Sequence, residues 1–354
     1  MLNATFFSQV CLSMNNRRVT LRDIAEDVGV TVATASMALR AHPRISPQTR
    51  TKVTEAAVRL GYIYNRAAAN LRQTQSSLIA VCLSDASNPV FNEFLIHVEA
   101  ELRGQGRQVF LGIARDDLTL QSQFLQTAME QGVGGVVLIP VRGTTRAHLR
   151  PVWPDERAEP LVPTALISRG LEGLNVPQVL NDDRRAGAMA AECLIAHGHR
   201  RIIWVGGGQD TSTARDRQAG AAQAIAQAGL PAMEVLHGPT LRRFGLDAAQ
   251  DILKRSDPAG QPTAAICFSD LIAFGMVAGI LRSGTTPAES LSVIGCDDME
   301  EAELIHPPLT TIAVDKEGIG RLGAQHAVIR PGAPVVTRLP PRLILRATVG
   351  QVAG

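Results

Sequence analysis

The chain has 354 residues, among them 35 Lys/Arg and 33 Asp/Glu, with a formal net charge of +2. This length is too great for one hydrophobic core, and 45% hydrophobic against 19% charged residues excludes an intrinsically disordered chain. No apolar run is long enough to predict a membrane-spanning helix. The five cysteines lack C-x-x-C spacing and four lie in or beside apolar segments, which indicates reduced thiols and a cytoplasmic location.

The first residues carry no signal for export. The segment from Met1 to Met14 has neither a basic region nor a long apolar core, so we do not expect a secretory signal peptide. We expect residues 1–18 to be either a disordered extension or the product of an upstream mis-annotated start.

Residues 19–65 predict three short helices. Thr20 can cap the first helix, and Gly29 can take the left-handed conformation that ends it. Thr31 can then cap the second helix, while Ser46 and the following proline are typical of the start of a third. Two short helices joined through a tight turn at residues 29–30 have the spacing of a helix-turn-helix, so we expect a DNA-binding head.

The distribution of charge supports nucleic acid as the partner of this head. Residues 14–77 contain ten Lys/Arg and four Asp/Glu, a net charge of +6, whereas the remaining chain has a net charge of −4. A solvated helical face is the alternative explanation of such a basic segment. Together with the helix-turn-helix spacing, the asymmetry indicates a DNA-reading head on a body that does not bind DNA.

The rest of the chain, residues 78–354, alternates short apolar runs with amphipathic stretches. Continuous apolar strands separated by helices are typical of a parallel sheet covered on both faces, and a segment of this size predicts two lobes. The predicted strands span residues 78–83, 108–113, 135–139, 164–167, 201–205, 263–268 and 291–295.

Two other classes of protein are disfavoured. The glycines after Val205 lack the G-x-G-x-x-G register of a nucleotide-dependent enzyme, and no Ser-His-Asp, H-E-x-x-H or P-loop pattern is present. The scattered histidines and cysteines give little support to a metal site, so we expect no catalytic residue, cofactor or metal. An exported sugar-binding protein would suit the body alone, but it would need a signal peptide.

Nine motifs of the chain resemble the LacI/GalR family of bacterial transcriptional regulators. They occur in the family's order over residues 19–350, and the segment from Met14 begins as family members typically begin. The head and the A-R-D-R turn most resemble the maltose-regulon-type repressors of the family. The motifs are T-L-R-D-I-A-E-D-V-G-V-T-V-A-T-A-S, S-P-Q-T-R, L-G-Y-I-Y-N-R-A-A-A-N-L-R, S-D-A-S-N-P-V-F, G-H-R-R-I, A-R-D-R-Q-A-G, F-S-D-L-I-A-F-G, V-I-G-C-D-D and H-P-P-L-T-T-I.

The resemblance implies a small all-α helix-turn-helix head and an α/β body of the periplasmic-binding-protein type. The body would have two Rossmann-like lobes with parallel sheets, an N-lobe of about 78–175 and 313–336 and a C-lobe of about 176–312 and 337–354. The implied function is repression of a carbohydrate or related catabolic operon through palindromic operator DNA. A homodimer and a small-molecule effector, such as a sugar, sugar phosphate or sugar acid, are implied as well.

By family position, the second helix enters the major groove and residues 66–77 form a hinge helix and linker whose Leu71 wedges into the minor groove. The alternative role of Leu71 is that of a linker residue that contacts the body. Many members have Arg where this chain has Met37, which cannot bond guanine through two donors, so an apolar contact with thymine methyls is expected there. Arg40 could supply a phosphate or base contact. The implied DNA-binding residues are Thr20, Thr31, Val32, Ala33, Thr34, Ser36, Met37, Arg40, Tyr62, Asn65, Ala68 and Leu71.

The effector is expected beyond the carboxyl ends of the strands, where ligands of such sheets bind. Arg217 and Asp297 would be its hydrogen-bonding anchors, and Asp270 has capping of a helix N-terminus as an alternative role. Lys316, where some sugar-responsive members have Phe, could neutralise an anion or point to solvent. The expected effector-binding residues are Asp85, Asn88, Phe91, Ser168, Arg169, Arg217, Ser269, Asp270 and Asp297.

Overall fold

A computed structural model describes residues 19–62, 76–155, 159–255, 260–329 and 335–352. The chain divides into two compact units, Met1–Thr74 and Gln75–Gly354. The expectations for residues 1–18 and for the hinge residues Asn65, Ala68 and Leu71 lie outside the described residues. Within the described part, no helix is both long and apolar enough to cross a bilayer.

The head consists of the three predicted helices, α1 (Leu21–Val28), α2 (Val32–Leu39) and α3 (Pro47–Arg59). The Thr20 hydroxyl accepts from the Asp23 N–H and the Asp23 carboxylate accepts from the Thr20 N–H, which completes the capping box. Gly29 ends α1 with a left-handed φ of 73°. The three helices bury one small core: Ile24, Ala25, Ala35, Ala38, Val53, Ala56 and Ala57.

The first lobe of the body is built on a six-stranded, fully parallel sheet of order β11-β5-β4-β3-β1-β2. Its strands are β1 (Leu78–Leu83), β2 (Gln108–Ile113), β3 (Gly135–Leu138), β4 (Thr164–Ile167), β5 (Gln178–Asn181) and β11 (Val336–Leu339). Its helices are α4 (Pro89–Gly104), α5 (Leu118–Glu130), a 3-10 turn at Arg146–Leu149, and the late helix α11 (Lys316–Val328).

The second lobe has its own six-stranded sheet, of order β12-β10-β9-β8-β6-β7, in which β12 alone runs antiparallel to its neighbour. Its strands are β6 (Ile202–Val205), β7 (Glu234–Leu236), β8 (Ala264–Cys267), β9 (Ser292–Asp297), β10 (Thr310–Ala313) and β12 (Arg342–Ile344). Its helices are α6 (Asp183–Ala196), α7 (Ser212–Gln227), α8 (Arg242–Leu253), α9 (Asp270–Arg282) and the short α10 (Glu301–Leu304).

The expected lobe boundaries were wrong by a few residues. Residues 176–181 and 337–339 were assigned to the second lobe, but β5 and β11 pair with each other and extend the sheet of the first lobe. The chain therefore crosses between the lobes after β5, after β10 and after β11. The expected boundaries missed β5 because its polar ends, Gln178 and Asn181, interrupt the apolar run, although all four of its residues are buried.

Glycines allow two helix pairs of the second lobe to cross at backbone contact. A Cβ at Gly187 of α6 would collide with the backbone oxygen of Arg217, and one at Gly220 of α7 would collide with that of Arg184. The same reciprocal arrangement joins α8 and α9 through Gly245 and Gly275. The close α6–α7 crossing fixes the helix that carries Arg217.

Candidate functional site

A cleft lies between the two lobes at the carboxyl ends of their strands. It encloses about 640 Å³ of empty space, its open mouth included. Eight of the nine expected effector residues line it: Asp85, Asn88, Phe91, Ser168, Arg169, Arg217, Ser269 and Asp297. We refer to this space as the interlobe cleft.

Arg217 is the centre of the polar network on the second lobe's side. Its Nε donates to Oδ1 of Asp183 at 2.7 Å, and its Nη1 donates to Oδ1 of Asp297 at 3.3 Å and to the backbone oxygen of Phe268 at 2.9 Å. Asp183, Asp297 and Arg217 are buried, with 3%, 5% and 7% of their surface exposed. None of these contacts among the described residues uses Nη2, so that nitrogen can donate to a molecule in the cleft.

Two buried polar atoms of residues that line the interlobe cleft have no hydrogen-bond partner within the described part of the chain. They are Oδ1 of Asn181 and Oγ of Ser269, on residues that are 2% and 1% exposed. A buried polar atom without a partner costs on the order of 1–3 kcal/mol, so such atoms are rare in proteins. Both residues line the same space as Arg217, which makes the cleft complementary to a ligand with hydroxyl or similar polar groups.

Burial shifts the pKa values of the acids beside Arg217. It raises the pKa of Asp297 to about 6, against the opposing effect of Arg217 and Lys316. It also raises the pKa of Asp183, although Arg217 and Asn181 oppose that shift. Asp297 in the cleft and Asp183 beside Arg217 therefore gain a proton more readily than ordinary aspartates.

Ser168 and Asp297 adopt left-handed backbone conformations, with φ values of 65° and 124°. Non-glycine residues rarely adopt such angles, which cost about 1–3 kcal/mol and cluster at ligand sites. Both residues stand at or beyond the carboxyl end of a strand, β4 and β9, and both line the interlobe cleft.

The first lobe contributes an aromatic and basic wall. The Arg169 guanidinium lies 5.2 Å from the centroid of the Phe91 ring, and its Nη1 donates to Asp116 and to the backbone oxygen of Pro140. Burial lowers the pKa of Arg169, while Asp116 acts to raise it. The side chains of Asp85 and Asn88 also stabilise the local backbone, because they accept hydrogen bonds from the N–H groups of Ser87 and Val90, respectively.

Asp270 does not line the interlobe cleft, so its placement there was wrong. Its carboxylate accepts from the Met299 N–H at 2.9 Å and from the Thr311 hydroxyl at 2.6 Å, and the residue is fully buried. The alternative of a helix cap was also incomplete, since Ser269 holds the N-cap position of α9. Asp270 instead ties α9 to β10 and to the turn after β9.

Sequence reasoning missed five polar or charged lining residues: Asp116, Arg142, Asn181, Thr213 and Thr240. It also missed five apolar ones: Val90, Phe94, Phe268, Val314 and Ile319. Asp116 and Arg142 follow β2 and β3, both predicted strands, so the rule that sites lie after strands could have found them. Asn181 is the last residue of β5 and Thr240 follows β7, and neither strand was predicted. Thr213 stands in the first turn of α7, one turn before Arg217.

Arg142 joins the two lobes at the mouth of the cleft. Its Nε donates to Asp116 of the first lobe at 2.9 Å, while Nη1 and Nη2 donate to Asp210 and Thr240 of the second lobe at 3.3 and 2.9 Å. Lys316 makes another connection, since its Nζ lies 2.6 Å from Glu93 and 2.8 Å from the Asp298 backbone oxygen. Lys316 therefore does not point to solvent, and Glu93 already compensates its charge.

In the head, the expected base-reading side of α2 is open. Val32 is 44% exposed and Ala33 is exposed, whereas Ala35 and Ala38 face the core. Thr34 bonds the capping hydroxyl of Thr31, and Arg40 is exposed with its Nε bonded to the Ser36 backbone oxygen. Met37, from which a contact with thymine methyls is expected, is half-buried, as is Ser36. Tyr62 packs against the head core.

No group of three or more His, Cys, Asp or Glu side chains suited to a metal ion occurs within residues 19–62 or the described parts of the body. The four cysteines of the body are buried and unpaired, and burial raises the pKa of Cys82 to about 12.

Comparisons with known proteins match both units. The sequence model of the family described as bacterial regulatory proteins, lacI family, matches residues 20–65. The family model of the periplasmic binding protein-like domain matches residues 191–349. The maltose regulon regulatory protein MalI of Escherichia coli (strain K12) is 31% identical over 276 residues, 77% of this chain and 78% of that protein. The transcriptional repressor CytR of the same organism is 28% identical over 304 residues, 85% of this chain and 86% of that protein.

The fold agrees with a solved structure of the lac repressor dimer bound to operator and the anti-inducer ONPF. The TM-score is 0.82 at 24% sequence identity, over 94% of this chain and 99% of that one. The helix-turn-helix head, the two-lobed body and the extent of the match to MalI lead to one conclusion: the chain belongs to the lacI family of bacterial regulatory proteins and is a DNA-binding transcriptional regulator.

Proposed function

We propose that the protein represses a carbohydrate or related catabolic operon and that a small metabolite in the interlobe cleft controls its binding to DNA. It would act in the cytoplasm as a homodimer on a palindromic operator, with one head on each half-site. The relatives support this proposal, because MalI is named for the maltose regulon and the lac repressor structure contains a dimer bound to operator.

One observation carries the effector part of the proposal. Asn181, Ser269 and Arg217 line one space, and the two unpartnered oxygens and the Nη2 of Arg217 provide an acceptor and two donors for a single ligand. A hydroxyl-rich molecule offers both donors and acceptors at close spacing. The rings of Phe91 and Phe268 line the same space and could pack against the apolar face of a sugar ring.

The charges of the cleft favour a neutral sugar over a sugar phosphate or a sugar acid. Each lining arginine already pairs with a carboxylate, so no guanidinium is left uncompensated for an anion. The balance among the lining residues is three arginines against three aspartates: Arg142, Arg169 and Arg217, with Asp85, Asp116 and Asp297.

A thermal-shift screen of neutral sugars, sugar phosphates and sugar acids tests this proposal, because a ligand that binds the folded state raises the melting temperature. We expect a neutral sugar to stabilise the wild type and to alter operator binding. Ser269→Ala should weaken both effects, while the exposed variant Arg184→Gln should leave them unchanged. Equal stabilisation of the wild type and Ser269→Ala would place the ligand elsewhere.

A further inference from the structure

A second cavity opens between the lobes beside the interlobe cleft. It encloses about 770 Å³ of empty space, its open mouth included, and shares only Arg169 with the cleft. Arg146 and Arg169 of the first lobe and Ser212 and Arg215 of the second lobe line it. We refer to this space as the arginine cavity.

The arginine cavity has an excess of positive charge. Its two acids, Glu172 and Asp210, compensate poorly: the Glu172 side chain is 97% exposed and lies 3.9 Å from Arg215, and Asp210 pairs with Arg142. Arg169 has to share Asp116 with Arg142, because each guanidinium binds one oxygen of that carboxylate. Asp116 and Asp210 together balance Arg142 and Arg169. An exposed pair such as Glu172 and Arg215 contributes little at its distance, so the two guanidiniums of Arg146 and Arg215 remain under-compensated.

Arg146 is held in place without using all its donors. Its guanidinium lies 4.1 Å from the centroid of the Trp153 ring, and its Nη2 donates to the Asp155 backbone oxygen at 3.3 Å. Its Nε is buried and has no hydrogen-bond partner among the described residues. Burying N–H groups of a guanidinium without hydrogen-bond partners is energetically unfavourable, and an anion beside the guanidinium would stabilise it.

The start of α7 adds donors from the second lobe. Ser212, the first residue of this 16-residue helix, accepts from the Gly170 N–H at 2.8 Å, so its own hydroxyl proton is available to an acceptor in the cavity. The partial positive charge of a helix N-terminus stabilises anions.

We propose that the arginine cavity binds a phosphate group, either as inorganic phosphate or as part of a phosphorylated metabolite. Donors reach the cavity from both lobes, which suits the tetrahedral oxygens of phosphate better than a planar carboxylate. The bound anion would contact both lobes at once and stabilise their present arrangement, as a ligand distinct from the neutral one in the interlobe cleft. This site does not depend on the proposed effector.

Isothermal titration of the full chain with inorganic phosphate and with glycerol 1-phosphate, at constant ionic strength, tests the proposal; glycerol is the neutral control. We expect binding of at least one anion and none of glycerol. Tighter binding of glycerol 1-phosphate than of inorganic phosphate would assign the site to a phosphorylated metabolite. Equal binding of the two would assign the site to the free anion.

Variants separate the arginine cavity from the rest of the molecule. Arg146→Gln and Arg215→Gln should each raise the dissociation constant about tenfold or more, the loss expected for a charge-assisted hydrogen bond. Arg150→Gln, an exposed arginine outside the cavity, and Ser269→Ala in the interlobe cleft should bind phosphate as the wild type does. Absence of binding at about 10 mM phosphate, or equal binding by all four variants, would overturn the proposal.

Discussion

Arg217 balances two carboxylates that are buried with it, so it supports stability as well as ligand binding. Removing one partner of a buried ion pair costs about 3–5 kcal/mol because it leaves an uncompensated charge. We therefore expect Arg217→Met to destabilise the body by about this amount in urea unfolding. The exposed Arg184→Met should change stability by less than about 0.5 kcal/mol. A small effect of Arg217→Met would mean that Asp183 and Asp297 are neutral in the folded protein.

Asp270 should make stability depend on pH. Burial, with a further contribution from Asp297, raises its pKa to about 7, so the folded protein holds a proton that the unfolded chain releases at lower pH. Its contribution is complete below the unfolded pKa and is lost as the pH rises through about 7. The melting temperature of the wild type, relative to Asp270→Asn, should thus fall between about pH 5 and pH 8.

The melting temperature is compared with that of Asp270→Asn because other groups change the stability with pH in the opposite direction. Burial lowers the pKa values of His199 and His326, so their contributions are lost as the pH falls. These contributions cancel in the difference between the two proteins. A difference that stays constant across this range would show that Asp270 is ionised in the folded state.

At the scale of single residues, the sequence predicted the two effector anchors, Arg217 and Asp297, but not Asp183, the residue that holds Arg217 in place. Arg217 and Asp297 stand in motifs that resemble the family, and the structure brings them together at 3.3 Å. Asp183, which holds Arg217 at 2.7 Å, has no local signal, because it lies 34 residues away and meets Arg217 only through the α6–α7 crossing.

At the scale of elements, strands with continuous apolar sequence were predictable and short edge or polar strands were not. All seven predicted strands are present, and β3, β4, β6 and β8 are buried throughout. The five unpredicted strands are β5, β7, β10, β11 and β12. Three of these, β7, β11 and β12, lie at sheet edges and are partly exposed, so burial imposes no apolar run on them.

The α6–α7 crossing gives a prediction at this scale. Gly220→Ala places a Cβ against the Arg184 backbone oxygen, which the helices can relieve only by moving apart. We expect a loss of about 1–3 kcal/mol in stability, as for other overpacked sites, and weaker ligand binding because α7 carries Arg217.

Gly104→Ala is the matched control, because nothing lies within 4 Å of a Cβ at that position at the end of α4. It should be neutral or stabilising by about 0.5–1 kcal/mol. Equal stability of the two variants would show that α6 and α7 tolerate a wider separation.

At the scale of the molecule, Arg142 should control how readily the lobes of the body separate. Two N–H groups bond across the lobes, that of Gly143 to the Asp210 backbone oxygen at 3.1 Å and that of Gly170 to the Ser212 hydroxyl at 2.8 Å. In Arg142→Ala we expect faster amide hydrogen exchange of both groups, because opening becomes easier. Arg150→Ala should exchange as the wild type does, and unchanged exchange in Arg142→Ala would contradict a role in closure.

The central claim is that a metabolite between the lobes controls binding of the head to DNA, and operator titration tests it most directly. The operator affinity of the wild type and of Asp297→Asn would be measured by fluorescence anisotropy, with and without the sugar that stabilises the wild type. We predict that the sugar changes the affinity of the wild type by about 5–150-fold, the usual range of allosteric coupling, and that Asp297→Asn binds the operator but does not respond. An equal response of both proteins, or an operator affinity of the wild type that the sugar leaves unchanged, would contradict the account.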